Sequence, residues 1–185
     1  MNEYSNKDAL SSDSPEERRD FRLKLTSTTV SLSDFPDDDP TDDEKALPVT
    51  AQFRSRPKAQ TRSIESRSLA SICELDGKVI LNYDDTVDDD EDPVPTVLSF
   101  HVEEPGLITL ERRGFLRSVM IFEQGKRHRA TYKTPFAVFE MTVFSRTVEN
   151  ALTADGGTLT LEYTLEFRGA AEQKVRISLE AARIK

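Results

Sequence analysis

Strict alternation of apolar and polar residues between Thr158 and Arg168 is the clearest pattern in the chain. Leu159, Leu161, Tyr163, Leu165 and Phe167 hold the odd positions, and Thr158, Thr160, Glu162, Thr164, Glu166 and Arg168 the even ones. Successive side chains of a strand point to opposite faces, so this segment reads as a half-buried β-strand; a helix would spread the same apolar residues around all its sides. Weaker versions recur. Phe21, Leu23 and Leu25 alternate with Arg22, Lys24 and Thr26, and Leu98, Phe100 and Val102 with Val97, Ser99 and His101. Val79, Leu81 and Tyr83 follow the turn signal Asp76-Gly77, which closes a hairpin with the 63–75 segment. Pro105-Gly106, Arg113-Gly114 and Gln124-Gly125 read as turns into strands at 107–112, 115–122 and 126–134. Pro135 interrupts before 137–148, Gly156-Gly157 opens the Thr158 strand, and 169–172 turns the chain toward Val175, Ile177 and Leu179.

About ten strands joined mostly by tight turns, with no amphipathic helix, predict an antiparallel meander. A flat sheet of that size would expose two edges and a broad apolar face, whereas closure removes the edges and buries the face. The expected fold is therefore all-β, an up-and-down antiparallel barrel; a two-layer sandwich, the competitor, needs longer crossing connections. The expected organisation is a disordered N-terminal tail over 1–19, then a single barrel domain over 20–185 with acidic loop insertions near 33–46 and 84–95. The 45–62 segment lacks periodicity and reads as an irregular connector or as an extra edge strand at 49–53.

Composition sharpens this picture. The chain has 185 residues, 36% hydrophobic and 32% charged, which suits one domain with one core. No apolar run approaches the ~18 residues of a membrane-spanning helix, and Met1 to Asp20 lacks the apolar core of a secretory signal. A cytoplasmic address and no membrane partner are expected. Cys73 is the single cysteine, so an internal disulfide and a cysteine-based zinc cage are excluded.

The net charge of −9 is concentrated. Asp34, Asp37, Asp38, Asp39, Asp42, Asp43 and Glu44 form one acidic cluster; Asp84, Asp85, Asp88, Asp89, Asp90, Glu91 and Asp92 form another. Against 25 basic residues, the 20 acids outside those clusters leave the remainder of the chain at +5. Prolines in both clusters mark them as extended, solvated loops, and neither carries the glycine or terminal glutamate of an EF-hand.

Candidate chemistry is sparse. His101 and His128 fall on different strands without metal-ligand spacing, and Cys73 sits between Ile72 and Glu74 as a small strand residue. There is no G-x-S-x-G elbow and no phosphate-binding glycine loop, so no catalytic residue, cofactor or metal is assigned. The richest polar group is Lys126-Arg127-His128-Arg129 with Tyr132 and Lys133, beside Arg112, Arg113 and Arg117. On a strand, Arg127, Arg129, Thr131 and Lys133 share one side, and Lys126, His128, Ala130 and Tyr132 the other. One row is a solvated outer face, or it points inward with Tyr83 and Tyr163, where an arginine would fork to a carboxylate or phosphate.

Arg112 or Arg113 with Gly114, then Ser118, Met120, Phe122, Gly125, Arg127, Tyr132-x-Thr134-Pro135-Phe136, Gly156-Gly157 and Tyr163-x-Leu165 together resemble the bacterial YwiB-like family of unknown function. Upstream, Gly77-Lys78 and Tyr83-Asp84 match that family's first hairpin, while Ala137 stands where it usually has glycine. The resemblance implies a calycin-like, lipocalin-like barrel and no particular reaction. Together these readings point to a small anionic or amphipathic ligand inside the barrel, with Tyr83, Arg113, Arg127, Tyr132, Thr134 and Tyr163 as candidate ligand-binding residues. A protein-interaction module with a packed interior, monomeric or homodimeric, is the alternative. A nucleic-acid role is disfavoured because the acidic insertions would repel the same backbone.

Overall fold

β-Branched and aromatic residues at period two generate every element of the computed structural model, which describes residues 20–31, 60–85, 93–115, 117–133, 135–167 and 170–185. The ten strands are β1 (Phe21–Ser31), β2 (Gln60–Leu75), β3 (Lys78–Asp85), β4 (Val94–His101), β5 (Glu104–Arg112), β6 (Arg117–Glu123), β7 (Arg127–Lys133), β8 (Val138–Asn150), β9 (Gly156–Phe167) and β10 (Ala170–Arg183). Each pairs antiparallel with its sequence neighbour, and β1 pairs with β10 to close the barrel. No helix occurs among the described residues. The expected 1–19 tail, the 49–53 edge strand and most of both acidic insertions lie outside the described residues.

Two boundaries differ from the sequence reading. Pro105 and Gly106 lie within β5, and the β4–β5 turn falls at Val102-Glu103, where the Val102 amide donates to the Gly77 carbonyl at 2.8 Å. Proline is admissible there because it occupies the start of a strand, where the missing donor costs no ladder bond. Asp84 and Asp85 are not loop residues: both belong to β3, and Val94 and Pro95 to β4. Asp85 continues the inward row of Val79, Leu81 and Tyr83 and is buried.

The barrel has two unlike ends. The β2–β3, β4–β5, β6–β7 and β8–β9 connections are short turns at one end, and 32–59, 86–93, 113–116, 134–137 and 168–169 connect strands at the other. Inward rows change character between them. On β1 the row runs Phe21, Leu23, Leu25, then Ser27, Thr29 and Ser31; on β5 it runs Ile108, Leu110, Arg112; on β6, read in the same direction, Phe122, Met120, Ser118. The turn end is packed solid by Phe21, Leu81, Leu98, Ile108, Leu110, Phe122, Leu159 and Leu161. Ten strands enclose more section than the eight that side chains just fill, and where the inward residues become small and polar the core gives way to a cavity.

Candidate ligand site in the barrel lumen

The cavity measures about 540 Å³ and opens toward the polar end. Its polar lining includes Ser27, Thr29, Gln60, Arg62 and Gln173, and its apolar lining Met120, Met141, Leu165 and Phe167. A part-apolar lumen with a few convergent polar groups is the ordinary make-up of a small-molecule site.

Strand register builds the polar floor. Tyr83 lies opposite Thr96, Thr96 opposite Arg112, Arg112 opposite Ser118, and Ser118 opposite Tyr132, so β3 to β7 each lend one side chain to a single inward girdle. Asp85, one inward position further along β3, accepts a 2.9 Å hydrogen bond from the Arg112 guanidinium. Their side chains are only 6% and 16% exposed, which makes this a buried ion pair. The Thr96 hydroxyl donates to the Val94 carbonyl at 2.9 Å. Two atoms of the girdle differ: Arg112 Nε and Ser118 Oγ are buried with no hydrogen-bond partner among the described residues. Both can donate, and desolvated donors in folded proteins are nearly always satisfied, so an acceptor belongs beside them.

Electrostatics bind the floor together. Burial opposes the charged form of Arg112, but Asp85, then Tyr163 and Tyr83, outweigh it and hold the guanidinium pKa above its ordinary value. Burial pushes the Tyr163 phenol up to about 12, against the pull of Arg112. Tyr83 is driven up further by burial and then by the Asp85 carboxylate. At neutral pH both phenols are therefore uncharged hydrogen-bonding groups, and the floor holds one cation and one anion. Tyr163 enters from β9 with its ring 4.9 Å from that of Phe122, which ties it to the solid core.

Of the residues expected from the sequence, Tyr83 and Tyr163 are buried and inward, and Tyr132 lines the cavity half-buried. Thr134 lies outside the described residues. Arg113 and Arg127 are on the outer face. Arg113 is held by Glu111 through two bonds of 2.9 Å, and Arg127 sits 4.2 Å over the Phe144 ring with Nε 3.3 Å from the Glu166 carboxylate. The inward row of β7 is His128, Ala130 and Tyr132, because Ala130 pairs with the buried Met141 and His128 with the buried Val143. The inward arginine is Arg112, not Arg113 or Arg127. Arg112 follows Ile108 and Leu110 at period two, and Asp85 follows Leu81 and Tyr83, so counting the inward phase to the end of each strand would have found both. Arg127→Ala should consequently change unfolding free energy by no more than about 1 kcal/mol, as for other exposed pairs, and leave lumen contents unaltered. Urea unfolding and native mass spectrometry check the two halves of that expectation.

No group of three or more His, Cys, Asp or Glu among the described residues could hold a metal ion, and no helix among them is long and apolar enough to cross a membrane. Cys73 is half-buried on β2, in the opposite phase to the inward Ile72.

A closed antiparallel meander with a solid floor and a part-polar lumen defines a calycin-like barrel protein. Residues 49–179 match the model of a domain of unknown function, DUF1934, and the chain belongs to that family. Among solved structures it is similar to the ywiB protein from Bacillus subtilis, with a TM-score of 0.57 and 15% identity over 89% of this chain and 94% of that one. At that identity the likeness is one of fold. No curated protein matches the sequence.

Proposed function

We propose that this is a non-enzymatic bacterial cytoplasmic protein that binds one small amphipathic molecule in its lumen, with an acceptor-bearing end at Arg112 and Ser118. The observation that carries this reading is Arg112, which lines a cavity of about 540 Å³ and keeps a buried, unpartnered Nε beside the equally unpartnered Ser118 hydroxyl of the neighbouring strand. Asp85 already occupies one edge of the Arg112 guanidinium, and a carboxylate, phosphate or carbonyl oxygen of the ligand meets Nε and the Ser118 hydroxyl. The apolar body of the ligand lies along Met120, Met141, Leu165 and Phe167, where burial contributes about 25 cal/mol per Å². Tyr83 and Tyr163 stay uncharged beside the ion pair. Cytoplasmic residence is supported by a single cysteine and no disulfide.

Native mass spectrometry of protein purified without refolding tests this directly. A discrete adduct should be released on denaturation, be reduced in Ser118→Ala, and be absent from the charge-neutral Arg112→Met/Asp85→Asn variant. A wild-type protein that carries no adduct, and takes up neither fatty acids nor aryl phosphates on incubation, would sink the reading and favour a packed interaction module.

A further inference from the structure

The rim of the open end carries an unusual outer surface. Phe115, in the β5–β6 turn, is 50% exposed; Phe136, in the β7–β8 connection, is 95% exposed; Val138, at the start of β8, is 61% exposed. Just below them the outward row of cations crosses the strands. Arg117 of β6 lies opposite Lys133 of β7, Lys133 lies opposite Val138, and Arg129 follows four residues back on the same face as Lys133. Arg117 Nε donates to the Gly114 carbonyl at 3.2 Å, which fixes the turn that presents Phe115. Neither Arg129 nor Lys133 forms an ion pair among the described residues. Glu111 and Glu140 share this face, and Glu111 is neutralised by Arg113. Glu111, Arg113, Arg117, Arg129 and Lys133 border a surface hollow of about 690 Å³ over β5 to β7.

We propose that this rim docks on an anionic phospholipid bilayer. Phe115 and Phe136 stand outermost, on the connections, and the cations stand behind them on the strands, with Val138 level with Lys133. That order lets Phe115 and Phe136 enter the acyl boundary, Val138 at their base, while Arg117, Arg129 and Lys133 meet lipid phosphates. A single-stranded nucleic acid needs aromatics on the sheet face where successive bases stack, and the outward strand residue at that place is the aliphatic Val119. Docking lays the outward face of β6 to β8 on the lipid rather than the whole mouth, because the acidic insertions that join β1 to β2 and β3 to β4 at this end would be repelled by anionic headgroups as by a nucleic acid. It departs from the expectation of no membrane partner, which rested on the lack of a spanning segment, and it stands whether or not the lumen holds a ligand.

Sedimentation of the full chain with vesicles tests it. Phosphatidylcholine vesicles doped with phosphatidylglycerol should retain the protein and pure phosphatidylcholine should not, with retention falling as salt rises. Phe115→Ser/Phe136→Ser and Arg129→Glu/Lys133→Glu should each weaken binding by about tenfold or more, and Arg22→Glu, at the closed end, should leave it unchanged. All these sites are exposed, so circular dichroism should report an intact barrel in each variant. The proposal is overturned by any of three results: no retention on the doped vesicles, retention indifferent to both rim variants, or equal retention on neutral lipid. It is equally overturned if the same residues prefer an oligonucleotide to lipid, or if the phenylalanine variant instead abolishes self-association.

Discussion

Arg112→Met is expected to cost the fold about 3–5 kcal/mol, and adding Asp85→Asn should restore most of that loss. The two side chains meet at 2.9 Å with little solvent access. Removing the guanidinium leaves the Asp85 carboxylate without a counter-charge in a region of low dielectric, which is the expensive half of the change. Converting the partner to a neutral amide removes that isolated charge, and the methionine fills much of the volume the arginine stem occupied. The pair itself adds little net stability, because desolvation offsets most of its Coulombic attraction. Urea unfolding of both single variants and the double variant at neutral pH closes the cycle. Equal destabilisation of Arg112→Met and Arg112→Met/Asp85→Asn would show that the arginine acts through packing and that the two charges are uncoupled.

Gly157→Ala is expected to be as damaging, for a backbone reason. Gly157 has φ 132° and Gly156 has φ 105°, both in a region that L-residues rarely adopt. A Cβ at Gly157 would overlap the Ala151 carbonyl oxygen, and one at Gly156 the Ala181 carbonyl oxygen. Neither neighbour can yield easily: the Ala151 amide donates to the Thr158 carbonyl at 2.9 Å, and Ala181 stands opposite Gly157 in the β9–β10 ladder. Strain and overlap together give a loss of about 3–5 kcal/mol. Gly106→Ala provides the comparison. Gly106 has no positive φ and open space around its Cβ position, so its replacement should fall within about 0.5 kcal/mol of the parent. Thermal unfolding separates these outcomes; a Gly157→Ala protein melting with the parent would show that the turn can relax.

Period two made the barrel legible, since each strand buries one face and the connections between most of them are too short for anything but hairpins. The resemblance at Ser118, Met120, Phe122, Tyr132 and Gly156-Gly157 led to the same fold. The site was read only in part. Tyr83 and Tyr163 were found because aromatic residues stand out at apolar positions. Arg112 entered only as an alternative to Arg113 and was not carried into the candidate set, because a charge at the end of an apolar row looks like the start of a loop; Asp85 was hidden inside an acidic run. Pro105-Gly106 misplaced a turn for a related reason: the two residues are unpaired and make the register shift between β4 and β5, while the chain reverses just before them at Val102-Glu103. Which row of β7 faced inward depended on the partners of Ala130 and His128 across β8, a tertiary fact that no local pattern holds.

The seam between β1 and β10 joins eleven residue pairs drawn from opposite ends of the chain, while every other ladder links neighbours. On the ribosome, β1 can find β2 early, but its other edge must wait until β10 has emerged. Until then Phe21, Leu23 and Leu25 lack one neighbour and two strand edges stay open to other chains. Production of this protein should thus be most vulnerable to whatever delays or shortens synthesis of the final fourteen-residue strand, even though that strand lies far in sequence from the segment it protects.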